Sequence, residues 1–220
     1  MRSSIMLDMS ARLVAGLSRI SMVLRHQAWE AAGPRGLTPT QAQVLTFLAA
    51  PGRSDMTPSR LAAELAVSAP TLSDAVAALA RKRLLLSRPD PADRRVRRIT
   101  LTATGRRLAA ELSQWPDALI HAIDALNETE RADFLRIVVK LIRSLQESGQ
   151  IPVGRMCVSC RFFRPHVHAD PAAPHHCDYV DAPFGDGALR IDCAEYEAAD
   201  QQQSRRLWQV FVRGRPAQKV

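Results

Sequence analysis

The chain has 220 residues, 46% hydrophobic and 24% charged, a size for one good domain plus a smaller appendage and a composition that excludes wholesale disorder. No apolar run reaches the roughly 18 residues that a membrane span needs, and Asp8 and Arg12 interrupt what would be the core of a signal peptide; the expectation is a cytoplasmic protein without membrane contact, whose thiols stay reduced. The net charge of +8 is local, because residues 81–107 hold ten Lys or Arg against Asp90 and Asp93, which reads either as a solvated face or as the footprint of a polyanion.

Residues 8–30 carry Met9, Leu13, Leu17, Ile20 and Leu24 at helical spacing and stop at Gly33, Pro34 and Gly36. In "LTPTQAQVLTFLAAPG" Thr38 is a helix cap, Pro39 suits the first helical position, and Gln41 completes a capping box. Thr57 with Pro58 opens a short helix running to about Leu65, and Ser68 caps the next, "APTLSDAVAALARKR". Two helices joined by so short a turn form a helix-turn-helix, with Leu61, Leu65, Val67, Leu72, Val76 and Leu79 as their shared core. The runs Leu84–Ser87 and Val96–Leu101 flank a Pro-Asp-Pro-Ala-Asp turn and predict a hairpin, or wing, with arginines at its tip and on its return strand. Thr102 caps a helix through Trp115, Pro116 kinks or restarts it, and Asn127 with Glu130 forms a second capping box. Beyond that box Phe134, Ile137, Val138, Leu141, Ile142 and Leu145 keep helical period. Residues 8–30 and 117–147 are more apolar than one thin domain needs, so they predict a homodimer interface rather than an internal core alone.

This order of elements resembles the MarR family of winged-helix transcription regulators over about residues 8–147. The matching stretches are "LTPTQAQVLTFLA", "TPSRLAAELAVSAPTLSDAVAALARKRLL" and "RPDPADRRVRRITLTATG", the last with Asp93, Arg95, Leu101, Thr102 and Gly105 at the family's wing spacing. The resemblance implies a homodimer that binds a double-stranded operator, and a possible small-molecule effector. On that fold the helix from Ser68 enters the major groove. Ser68, Thr71 and Ser73 offer hydroxyls there, while Pro70 and the Thr71 methyl suit thymine methyls. The wing would bring Arg94, Arg95, Arg97 and Arg98 to the backbone and minor groove, with Asp93 orienting Arg95. Many relatives carry basic residues where this chain has Ala69 and Asp74, so base readout by the helix is less expected than backbone binding by the wing.

All four cysteines lie beyond this region: Cys157 and Cys160 separated by two residues, Cys177 after sixteen more and Cys193 after fifteen. A catalytic Cys-x-x-Cys would want a βαβ setting that is absent, and the compartment disfavours disulfides. Metal is the expectation, as an iron–sulfur cluster, with [4Fe–4S] the expected type, or as Zn²⁺. One tight pair followed by two isolated cysteines suits a cluster better than a zinc ribbon, and His176 is the candidate substitute ligand. "CVSCRFF…C…CAEY" is similar to the cluster-binding pattern of high-potential iron–sulfur proteins, with Cys193 three before Tyr196 but Ile191 and Asp192 where an aromatic is usual. Phe162, Phe163, Tyr179, Phe184 and Tyr196 would supply a water-excluding shell.

The expected fold class is therefore mainly α with a small β-wing: a winged helix with N- and C-terminal dimerisation helices in residues 1–150. A cysteine-rich metal module follows in 151–200. Residues 201–220 read either as a docking strand or as a loose tail. The expected function is a DNA-binding regulator, a repressor by resemblance, whose affinity responds to the metal centre. The alternative is an organic-ligand sensor with structural zinc. No glycine-rich nucleotide motif and no poised nucleophile–base pair points to an enzyme.

Overall fold

The computed structural model describes residues 8–113 and 117–214. The break expected at Trp115 and Pro116, and the end of the tail, lie outside them. The chain divides into two compact units, Met1–Ala122 and Ile123–Val220.

The first unit runs α1 (Met9–Ala32), α2 (Pro39–Ala49), α3 (Pro58–Glu64), α4 (Ala69–Arg81), β1 (Leu85–Pro89), β2 (Arg97–Leu101) and α5 (Ala103–Leu112). Its helix starts are set by side chains. Thr38 accepts from the Gln41 N–H while the Gln41 side chain accepts from the Thr38 N–H. Thr57, Ser68 and Thr102 cap their helices through the N–H groups of Arg60, Thr71 and Gly105. Each such cap is worth about 1 kcal/mol. Leu61, Leu72 and Leu79 are buried as expected, with Leu65, Val67 and Val76 packed around them, and Val44, Leu45, Ile99 and Leu112 complete one aliphatic core. β1 and β2 pair antiparallel with Leu85 opposite Leu101 and Arg88 opposite Arg98. Met56, just before α3, makes an isolated antiparallel bridge to Ile99 beside the two-stranded wing.

Gly105 explains its own identity. A Cβ there would lie 1.9 Å from the Leu84 carbonyl oxygen. Thr102 donates its hydroxyl to the carbonyls of Arg83 and Leu84, so α5 starts hard against the root of the wing.

The stripe expected on α1 is a helix face, but within the chain it is bare: Met9, Leu13, Leu17 and Ile20 are exposed. The helix α6 (Asp117–Asp124) crosses the division between units, and α7 (Glu128–Glu147) opens with the expected Asn127–Glu130 capping box.

In the second unit α7 packs with β3 (Phe163–Arg164), β4 (His175–Cys177), β5 (Ala182–Phe184) and α8 (Gln201–Arg213). The strands form one antiparallel sheet in the order β3-β4-β5. Val139 of α7, Met156, Val158, Cys160, Phe163 and Leu189 of the intervening segment, and Phe211 of α8 make a single core. The structure thus gathers around one core three stretches that the sequence assigns to three regions. The reason is that α7 has two apolar faces. Leu135, Val139 and Ile142 point into the core, while Phe134, Ile137, Leu141 and Leu145, the stripe prominent in the sequence, stay exposed. Residues 201–213 are neither strand nor loose tail. Asp200 caps α8 through the Gln203 N–H, and Ser204, Leu207 and Phe211, spaced three and four apart, turn inward. No helix among the described residues is long and apolar enough to cross a membrane.

Candidate nucleic-acid interface and cysteine site

At the start of α4 the residues Ser68, Pro70, Thr71 and Ser73 are all exposed. The Ser68 hydroxyl already accepts from the Thr71 N–H at 3.2 Å and lies 2.7 Å from the Thr71 hydroxyl. It therefore caps the helix while the paired Ser68 and Thr71 hydroxyls remain exposed at its start. Ala69 and Asp74 are exposed beside it.

The wing arginines sort into two kinds. Arg98 is a strut. Its Nε lies 2.5 Å from the Asp90 carboxylate, and its Nη1 donates to the Asp55 carbonyl at 3.2 Å. The Asp90 hydrogen bond, with one from the Ala92 N–H, holds the Asp90 carboxyl below the usual carboxylate range. Arg97 reaches back to the Ser87 hydroxyl at 3.2 Å and to the Ser87 carbonyl. Arg94 and Arg95 stand exposed at the tip. Asp93 accepts from the backbone N–H of Arg95 at 3.0 Å, not from its guanidinium. It shapes the turn that carries Arg95 and leaves that side chain free to reach outward.

In the second unit all four cysteines line one cavity of about 140 Å³, walled also by Phe162, Phe163, Tyr179 and Phe184. The segments are laced from both sides: the Cys157 N–H donates to the Arg190 carbonyl at 3.0 Å, and the Cys193 N–H to the Arg155 carbonyl at 2.9 Å. Burial pushes the Cys157 thiol up to about 11, the Arg190 N–H opposing and the other three sulfurs adding to it; metal uptake must therefore displace its proton. Among the described residues no group of three or more His, Cys, Asp or Glu side chains is placed to hold a metal ion. Tyr196, expected in the aromatic shell, packs on the core, and its hydroxyl donates to the Ser159 carbonyl.

The histidines are structural in ways the sequence hides. His175 is fully buried. Its Nδ1 accepts from the His166 N–H at 3.2 Å, which places its proton on Nε2, 2.9 Å from Asp186. Asp186 also faces Arg136 of α7 at 3.4 Å. Burial works against ionising Asp186, but the His175 hydrogen bond and the nearby positive charges outweigh it and keep its pKa below the ordinary value. His176 points to the opposite face of β4 from Cys177. It meets His168 at 3.1 Å and Asp181 at 3.2 Å, and it does not line the cysteine cavity. Sequence reasoning also missed Arg190 and Glu195, which share the cavity wall. Their closeness to Cys193, three before and two after, was the available signal.

A separate groove of about 630 Å³ in the first unit is lined by Leu24, Arg25, Ala28 and Trp29 of α1 and by Thr38, Pro39, Thr40 and Gln43 at the start of α2.

Residues 35–96 match the family model described as the MarR family. Among solved structures, S. aureus MepR in its DNA-binding conformation is 25% identical with a TM-score of 0.54, over 61% of this chain and 98% of its own. Streptococcus pneumoniae FabT in complex with DNA has 23% identity and a TM-score of 0.54, over 64% of this chain and 99% of its own. The regulator SlyA has 18% identity and a TM-score of 0.53, over 60% and 94%. Among curated proteins none matches the chain. The helix-turn-helix with its hairpin is accordingly the winged-helix fold of MarR regulators.

Proposed function

We propose that the chain is a MarR-type transcription regulator, not an enzyme, that binds an operator as a homodimer. The observation that carries this is α4 with a polar, exposed N-terminal face next to a wing tip presenting Arg94 and Arg95, inside the segment matched by the family model. DNA complexes among the structural neighbours support it. Major-groove entry by α4 would bring Ser68, Pro70, Thr71 and Ser73 to the bases. The wing tip would neutralise phosphates or enter the minor groove. Arg97 and Arg98 contribute by holding the wing in shape. The bare stripes of α1 and α7 are the surfaces a second copy would cover; each is a continuous apolar face of the kind that marks an interface.

The second unit is proposed as the sensing module, with Cys157, Cys160, Cys177 and Cys193 holding an iron–sulfur cluster. A lone tetrahedral zinc at about 2.3 Å from each sulfur leaves no void among its ligands. The four cysteines share a cavity of about 140 Å³, which has room for a group larger than one ion. Four cysteine thiols on its wall, thiolates once metal displaces their protons, and an aromatic lining match the donor set of such a cluster. When bound, the group would supply a charge that changes with redox state. The protein residues supply the rest: backbone lacing that fixes Cys157 and Cys193, rings that line one side of the cavity, and the Arg136–Asp186–His175 contact that joins this unit's sheet to α7.

The groove at α1 and α2 supports the second reading, an organic effector held by Trp29 and Arg25, with zinc as a structural ion at the cysteines. Operator release by a phenolic acid, insensitive to oxidants and chelators, would favour it.

The test is a gel-shift titration of the chain's own promoter fragments. Arg95→Ala should weaken binding by about 1–3 kcal/mol. Replacing Arg94 and Arg95 together should make the slope of log K against log salt shallower by about 0.9 for each phosphate that is no longer neutralised. Unchanged affinity and slope at physiological salt would remove the wing from the interface.

A further inference from the structure

Arg190 touches two cysteines that lie 36 positions apart in the chain. Its carbonyl accepts from the Cys157 N–H at 3.0 Å, and its own N–H donates to the Cys157 Sγ at 3.3 Å. Its guanidinium Nη1 lies 3.6 Å from the Cys193 Sγ and 3.2 Å from the Glu195 carboxylate. The Cys193 thiol in turn donates to that same carboxylate at 3.3 Å. One cation therefore sits between a sulfur and an acid on the rim of the cysteine cavity, which both Arg190 and Glu195 line.

This arrangement has little to do with holding the fold. The Arg190 side chain is 57% exposed and Glu195 36%, and an ion pair so open to water adds at most about 1 kcal/mol. Its place on two sulfurs is where it matters. Hydrogen bonds to ligating sulfurs and positive charge nearby stabilise the more negative, reduced state of a thiolate-bound centre. A carboxylate next to the same sulfur does the reverse.

We propose that Arg190 is a positioning residue of the cysteine centre that raises its reduction potential, and that Glu195, by competing for the guanidinium, lowers it. The inference rests on the cluster reading above. The pair sets how readily the sensor is oxidised, and so the threshold of the signal, without either residue being a ligand.

The experiment uses the full chain purified anaerobically and reconstituted with ferrous iron and sulfide. Iron and sulfide are counted, and the absorbance near 400 nm is followed in a potential titration. Arg190→Gln should move the midpoint to more negative values by about 59 mV, a tenfold change in a one-electron equilibrium. Arg190→Lys, which keeps the charge but not the fork, should fall between it and the wild type. Glu195→Gln should move the midpoint the other way. Equal midpoints in wild type, Arg190→Gln and Glu195→Gln, at equal iron content, overturn the role of Arg190 and leave the cluster standing. Should Arg190→Gln fail to load iron, the direction of the Glu195→Gln shift decides: positive upholds the proposal, null or negative ends it. A wild type that binds neither iron nor sulfide defeats the cluster reading itself, and this proposal with it.

Discussion

The buried cluster of the first unit runs from Ala32 to Leu112 and contains Leu, Ala, Val, Ile and Met but no aromatic ring. That of the second is built on Phe163, Phe211, Met156 and Cys160, with the His175 ring packed edge-on or tilted against the phenylalanines at 5.4–5.7 Å. The first unit is organised locally. Each of its helices from α2 to α5 begins at a side-chain cap three residues from its partner N–H, and the wing closes on a short turn. The second is organised by pairs far apart in sequence: Arg161 with Glu197, Ser159 with Ala199, Cys157 with Arg190. A unit of the first kind sets its helix starts locally, although its wing still needs Met56 and Asp55 to meet Ile99 and Arg98 from 43 positions away. A unit of the second kind takes shape only when its distant segments meet.

The sharpest way to break this comparison uses one glycine from each unit. A Cβ at Gly105 would lie 1.9 Å from the Leu84 oxygen, and one at Gly185 would lie 2.3 Å from the Ala172 oxygen. In both cases the obstacle is backbone and cannot swing aside. Gly105→Ala and Gly185→Ala should each cost about 3 kcal/mol or more. Hydrogen exchange followed by segment should show Gly105→Ala loosening 35–112 alone and Gly185→Ala loosening 156–213 alone. Loss of protection in both units from either change would mean that they do not fold separately.

A smaller effect separates the units by pH. Burial and the neighbouring His175 hold the His166 pKa below its ordinary value of 6.5. The unfolded chain then binds that proton more readily than the folded one, so stability is full above about pH 6.5 and declines as pH falls through and below it. Protection of 156–213 should drop between pH 7.5 and 5.5, and His166→Gln should flatten that decline. An unaltered slope in the variant would move the titration elsewhere. The smallest expected change is Ala66→Gly. Ala66 has φ 51° in the turn between α3 and α4, a left-handed conformation that costs a residue with a Cβ about 1 kcal/mol. Glycine there should raise the melting temperature of the first unit slightly, and a fall would show that backbone entropy outweighs the relieved strain.

The same contrast explains what could be read from the letters alone. Thr38, Thr57, Ser68, Thr102 and Asn127 announce their helices because a cap acts within three residues. The wing arginines were legible as a charge but not as roles. Arg98 depends on Asp90 eight positions away and Asp55 forty-three away, and nothing in a run of arginines says which one is tied down. The four cysteines were found by spacing, whereas the buried His175 was not, because its burial depends on Phe211 and its proton on Asp186. α8 was ambiguous because "LWQVFV" is a short apolar run that fits a strand as well as a helix, while its inward residues Ser204, Leu207 and Phe211 follow a helix. A face is visible in sequence only when one periodicity dominates.

The seat of α5 on the wing has a mechanical consequence. Thr102 holds the carbonyls at the foot of β1, and Gly105 allows an approach so close that no slack remains between helix and hairpin. The two behave as a crank. A tilt of α5 would press directly on the root of the β-ribbon, whose far end carries Arg94 and Arg95.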